Sequence, residues 1–219
     1  MIAFAFAGSL VARVIRGEQV SEKVNITLAF VSNYCTIKYT SFNSSLVSNF
    51  TVAYDSSIVN MNDNSGWTYY PDIAMMAAVE HANNDPTILP GIHVNIKRFT
   101  DCGPYDANAA ENYYGNSGGY AGSITAQDLA EVHTDVIGVI SNEYSSTTRG
   151  IAEILSEYKI PMCGTISGST RFSNKIIYPY YWRVMNVNFS QELLLILDYW
   201  NVNDVCVVYQ QDSDFSLSL

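Results

Sequence analysis

The chain reads as an α/β protein built on a parallel sheet with helices on both faces. Three observations predict this. Val136 to Ile140 is an unbroken apolar run, as expected of a strand covered on both faces. Beyond a short polar loop, Ile151, Ile154, Leu155 and Tyr158 recur at i, i+3, i+4 and i+7, the apolar stripe of an amphipathic helix. Along the chain such units alternate as βαβαβαβ, with crossovers long enough for helices, which calls for parallel strands and right-handed connections.

The elements follow in order. Residues 1–23 open with MIAFAFAGSLVARVI. The stretch has signal-peptide length but no basic start, and its arginines follow the apolar part. It is expected to be a leader, with an ordinary buried element as the alternative. Val24 to Val31 is the first core strand. Ser32 to Tyr70 is polar and rich in Ser, Asn and Thr, an elaborated surface insertion or a partly disordered one. Pro71 suits the first position of a helix whose shared face is Ile73, Met76, Ala77 and Glu80, and which stops near Asn83-Asn84-Asp85-Pro86. Ile92 to Phe99 alternates apolar and polar, a strand near the sheet edge.

Asp106 to Tyr114 is helix-compatible. The glycine cluster Gly115 to Gly122 reads as a flexible loop, and helix resumes from Ala126 to Glu131. After the strand–loop–helix unit come a strand over Met162 to Ile166 and an extended segment over Tyr178 to Val184. A strongly apolar helix over Phe189 to Trp200 and a buried strand over Val205 to Tyr209 complete the order. The last strand lies a few residues before Leu219 without a covering helix, so a piece of a longer architecture is expected.

Composition narrows the function. With 219 residues, 48% of them hydrophobic and only 15% charged, a sizeable core is available and global disorder is disfavoured. The net charge of −10 provides no basic stripe for phosphates, which argues against nucleic acid and anionic lipid as partners. No run reaches the length of a membrane span. Sequons at Asn25, Asn43, Asn49 and Asn188, with sixteen Tyr and few Lys, lean toward a secreted or lumenal protein. Cys35, Cys102, Cys163 and Cys206 match no zinc spacing and allow three pairings. Cys163 and Cys206 lie in predicted core strands and read as buried thiols. Cys35 and Cys102 lie in loops, free to pair in an oxidising compartment.

Catalytic patterns are missing: there is no nucleophile elbow, no Walker sequence and no GxGxxG spacing after a strand. His81, His93 and His133 lie on different elements, and Asp101 has no second carboxylate in evident partnership. No cofactor or metal is called for, and an enzyme is disfavoured. The loop Ser141 to Thr147 is the first candidate site, because ligands of open α/β sheets bind beyond the carboxyl ends of the strands. Ser145, Ser146 and Thr147 sit where the helix begins. Hydroxyls there cap backbone N–H groups, and the same N–H groups can hold an anionic ligand. A plain N-cap at Ser145 is the simpler reading.

Three blocks carry a resemblance. AAVEHANNDPTILPGIHV, RFTDCGPYDANAA and VIGVISNEYSSTTRGIAEILSEYKIPMCGTISGSTRFSNKIIYPYYWRVMNVNFSQ resemble the receptor ligand-binding regions of the type I periplasmic-binding-protein-like fold. That class includes ectodomains of class C G-protein-coupled receptors and of natriuretic-peptide-receptor guanylate cyclases. The likeness runs from about Val24 to Asp214, with Ser32 to Tyr70 unmatched.

The resemblance implies lobe one of a two-lobed clamshell over residues 24–202 and the first strand of lobe two over 203–219. It also implies a small-molecule ligand in the interlobe cleft and signalling by lobe closure. By position, its ligand contacts fall on Ser145, Ser146 and Thr147, then on Thr165, Ile166, Ser167 and Gly168. Glu143 and Tyr144 replace small residues in the loop, and Ile166 and Gly168 replace hydroxyls. A glutamate there would repel an anion or attract an ammonium group, so an amino-acid-like ligand is implied only as a class. The resemblance further implies a Cys35–Cys102 disulfide and a homodimer through lobe-one helices such as 71–84. The expected protein is a cell-surface receptor ectodomain without catalysis of its own, attached to the membrane only through segments outside this chain. The rival readings are a secreted or periplasmic solute-binding protein serving a transporter, and an enzyme that borrowed the fold.

Overall fold

A computed structural model of the chain describes residues 23–34, 47–48, 51–52, 66–101, 119–185, 190–206 and 208. The leader, Cys35, Cys102, Asn43, Asn49, Asn188 and the helix expected over Asp106 to Tyr114 lie outside the described residues. Five strands run parallel: β1 (Val24–Ser32), β4 (Ile92–Thr100), β5 (Val136–Asn142), β6 (Met162–Gly164) and β7 (Tyr181–Arg183). Two short strands of the insertion, β2 (Val47–Ser48) and β3 (Thr51–Val52), continue the sheet antiparallel beyond β4. The full order is β2-β3-β4-β1-β5-β6-β7. The helices are α1 (Gly66–Asn84), α2 (Gly119–Val132), α3 (Ser145–Glu157) and α4 (Ser190–Tyr199). The α/β class and the parallel central strands are as the apolar runs predict.

β1 is the central strand, and its alternation builds two different faces. Ala29 and Val31 align with Phe99 of β4 and Val139 of β5, and with Met162 they pack under Ala126 and Leu129 of α2 and Ile151, Ala152 and Leu155 of α3. This is the main apolar core. On the other face lie Phe30 and Arg98, both buried, where α1 packs against β4.

That second docking is polar, and it shifts α1 from the face the sequence suggested. The helix starts at Gly66, with Pro71 inside it rather than at its first position. As the sixth helical residue it lies past the first turn, so it both removes the bond to the Trp67 carbonyl and crowds that carbonyl with its ring. Asp72 is buried in α1, whereas Ile73, Ala77 and Glu80 are exposed. Asp72 accepts from Arg98 Nε at 2.7 Å and Nη2 at 3.3 Å, and from the Tyr34 hydroxyl at 3.0 Å. At the far end Asn83 donates to the Val94 carbonyl at 2.9 Å and accepts from the Val94 N–H at 2.8 Å. Its amide thus mimics a paired strand along β4, where the edge would otherwise be open.

Other boundaries also move. α2 begins at Gly119, so part of the presumed flexible loop is helix. At Gly122 a Cβ would stand 2.9 Å from Ile151 Cγ1 and 3.0 Å from the Thr147 carbonyl oxygen. Glycine is there for the close crossing of α2 and α3. Tyr158 is the C-cap of α3 and exposed, not part of its buried stripe. β6 ends at Gly164 instead of Ile166. Val205, Cys206 and Val208 are exposed and non-helical, non-strand. The expected last strand is therefore absent among the described residues, and Cys206 is not a buried thiol. A strand exists only by pairing, and none of the sheet's partners lies beside this segment. Cys163 is half-buried, and its burial pushes the thiol up.

Candidate functional site

The sequence-predicted residues gather at the carboxyl edge of the parallel strands. Ser32 ends β1 in register with Thr100 of β4 and Asn142 of β5, so Asp101 and Glu143 emerge at that edge on either side of Asn33. β5 passes through Glu143 and Tyr144 directly into α3. Tyr144 is the N-cap, in extended backbone, and no side chain caps the helix. Ser145 is the first helical residue, so the simple N-cap role does not fall to it. Its buried Oγ instead accepts from the Ser169 N–H at 3.1 Å.

A hydroxyl cluster joins the loop to the segment after β6. The Glu143 carbonyl accepts from Ser167 Oγ at 2.7 Å and from Thr148 Oγ1 at 3.2 Å, and these two hydroxyls lie 2.5 Å apart. The Ser141 carbonyl accepts from the Thr165 N–H at 3.0 Å and from Thr165 Oγ1 at 3.2 Å. The sequence-predicted residues thus divide into two groups. Ser145 and Ser167 are buried ties that brace the loop. Tyr144 is exposed, and Ser146, Thr147, Thr165 and Ile166 are half-buried. Thr147 turns its methyl toward α2, close to where a Cβ on Gly122 would sit. The groups that can meet a ligand are therefore Tyr144, Ser146 and the first-turn N–H groups of α3, a ready anion acceptor.

Glu143 is wholly buried, and Asp101 nearly so. Contrary to the reading that left Asp101 without a carboxylate partner, the two side chains are hydrogen-bonded to each other. Burial pushes the Glu143 carboxyl well above the ordinary carboxylate range, with Asp101's charge and hydrogen bond adding to it. Burial likewise lifts Asp101, to about 6, against the opposing pull of the Glu143 hydrogen bond.

Two further participants were not singled out from sequence. Thr148 shares the buried stripe of α3 with Ile151 and Leu155, and a hydroxyl at that spacing was the available signal. The Tyr181 ring packs over Gly164, where a Cβ would stand 2.8 Å from Cζ. That reaches across two strands and leaves no local trace. Among the described residues no group of His, Cys, Asp and Glu is arranged to hold a metal ion, and no helix is long and apolar enough to cross a membrane.

Residues 70–219 match the family model described as the receptor family ligand-binding region, well over half of the chain. The chain belongs to that receptor ligand-binding family. It is also similar to a metabotropic glutamate receptor of Drosophila melanogaster, 28% identical over 153 residues. That match covers 64% of this chain and 16% of the fly receptor, so the chain spans under a fifth of the relative's length. The resemblance of the sequence blocks thus holds, and the parallel sheet flanked by helices is consistent with a type I periplasmic-binding-protein-like lobe.

Proposed function

We propose that this chain forms part of the extracellular ligand-binding domain of a cell-surface receptor. It would take a small molecule at the carboxyl edge of its sheet and signal as a second lobe closes over that ligand. The observation that carries the reading is the start of α3 without a side-chain cap, beside exposed Tyr144 and half-buried Ser146, in a chain of this family. First-turn N–H groups and the positive end of the helix dipole favour a carboxylate or similar anionic group. An amino-acid-like ligand supplies one. Closure is a population shift, set by how much tighter the ligand binds the closed state than the open one. The chain contributes recognition to this scheme and no bond-making chemistry. Exposed Tyr70 and Ile73 on α1 supply the surface for a homodimer, and exposed Asn25 suits a glycan. Cys35 and Cys102 form the disulfide of this scheme.

The test is Ser146→Glu in the complete two-lobed receptor. A carboxylate in the first turn suits the helix dipole, worth about 0.3–1 kcal/mol in favour of the helix, so the variant folds. It occupies the anion position, and calorimetric titration with a panel of α-amino acids should show binding lost relative to the unmodified receptor. Unchanged affinity for the amino acid that binds would sink the assignment of this helix start to the ligand.

A further inference from the structure

We propose that Asn25 carries an N-linked glycan, seated on the uncovered amino end of the sheet and clear of both the ligand edge and α1. The inference deepens the reading of the chain as part of an extracellular receptor and rests on it.

Asn25-Ile26-Thr27 is one of four sequons, and the one that lies wholly within the described residues. It falls inside β1, the central strand of the sheet. That position by itself argues against modification, because a central parallel strand is covered on both faces. At this end of β1 the cover is missing.

Side chains alternate along a strand, so Asn25, Thr27, Ala29 and Val31 share the face on which α2 and α3 pack. The helices stop short of the sequon. Ala29 and Val31 belong to the core, Thr27 is half-buried, and Asn25 is exposed. On one side Asn25 is in register with His93 of β4. On the other, β5 begins only opposite Thr27, and Ile137 is an extra residue where the register shifts between Thr27 and Leu28. Such a bulge bends and twists the strand that holds it. No strand therefore lies beside Asn25 on the β5 side.

The surroundings suit carbohydrate. The register partners on this face are His93, Asn95 and Lys97. Lys97 pairs with Asp135 at 2.7 Å, and at 41% and 52% exposure both side chains are open to solvent. The Thr27 hydroxyl is hydrogen-bonded to Asp135. Sugar hydroxyls thus meet donors and acceptors rather than an apolar patch. Tyr144 and Ser146 lie at the opposite, carboxyl end of the strands, and α1 packs on the opposite face with Arg98. A glycan on Asn25 obstructs neither.

The oligosaccharide comes from a lipid pyrophosphate donor in the secretory compartment. Asn25 Nδ2 forms a bond to the anomeric carbon of the first sugar, and the bond from that carbon to the pyrophosphate oxygen breaks. The lipid pyrophosphate leaves with the electron pair, and the amide proton passes to a base of the transferring enzyme. Nothing is oxidised or reduced.

The full chain expressed in cultured animal cells tests this. Secreted protein is treated with peptide N-glycosidase in heavy-oxygen water, which turns an occupied asparagine into labelled aspartate, and the peptide carrying residue 25 is read by mass spectrometry. The label should appear there. Asn25→Gln should lose one glycan step in gel mobility. Thr27→Val should lose the same step with Asn25 still in place, and Thr27→Ser should keep it. Light scattering should give one oligomeric state with or without the glycan. An unlabelled Asn25 in a secreted chain overturns the inference and leaves the receptor reading standing. Retention in the cytosol with no sequon modified overturns both. An oligomeric state that changes in Asn25→Gln overturns the placement of the glycan away from partner surfaces.

Discussion

Replacing Asp72 with alanine is the sharpest test of how α1 is held to the sheet. The carboxylate takes two hydrogen bonds from Arg98 and one from Tyr34. The Arg98 and Asp72 side chains are 6% and 5% exposed, so water screens their attraction little, and a surface-pair value of about 0–1 kcal/mol does not apply. Removing one member strands a buried charge, at about 3–5 kcal/mol. A buried Tyr34 hydroxyl left without its acceptor adds on the order of 1 kcal/mol. Water entering the vacated space offsets part of the sum, leaving about 4 kcal/mol. Against a typical domain stability of about 5–15 kcal/mol, that threatens folding outright. Urea denaturation followed by circular dichroism measures it. Asp72→Leu combined with Arg98→Met should be far milder than Asp72→Ala, because no charge is then left behind. A cost below about 1 kcal/mol for Asp72→Ala would refute the claim that this ion pair anchors α1.

Two other substitutions probe packing decided at long range. Gly122→Ala gains about 1 kcal/mol of helix propensity. It also drives a methyl to 3.0 Å from the Thr147 carbonyl oxygen, a backbone atom that cannot swing aside, at an overpacking cost of about 1–3 kcal/mol. The net is a loss of about 1 kcal/mol by chemical denaturation, and a stabilised variant would mean that α2 and α3 do not cross closely there. Asn83→Ala removes both bonds to Val94. It should cost about 1–2 kcal/mol and speed amide exchange at Val94, and an unchanged exchange rate there would show that the N–H finds another acceptor.

The strand–loop–helix unit from Val136 to Glu157 was legible because its information is local. A run of apolar residues marks a strand covered twice, and a 3.6-residue stripe marks a helix that covers it. The family blocks point to the same loop as the strand–loop–helix pattern for the same reason, since they read contiguous residues. What the chain alone left open involves partners distant in sequence. Asp72 turned α1 about its axis because Arg98, 26 positions on, supplies a charge to bury against, and hydrophobic periodicity does not count ion pairs. Gly122 looked like part of a flexible loop until α3 crossed it. Ser145 looked like a cap until the Ser169 N–H, 24 positions on, took its oxygen. Glu143 looked like a pocket residue until strand register brought it beside Asp101. Local pattern thus determined which elements form and which loop is the candidate site. Tertiary structure decided which side chains brace the loop and which stay exposed beside it, because burial and charge pairing exist only between elements already brought together.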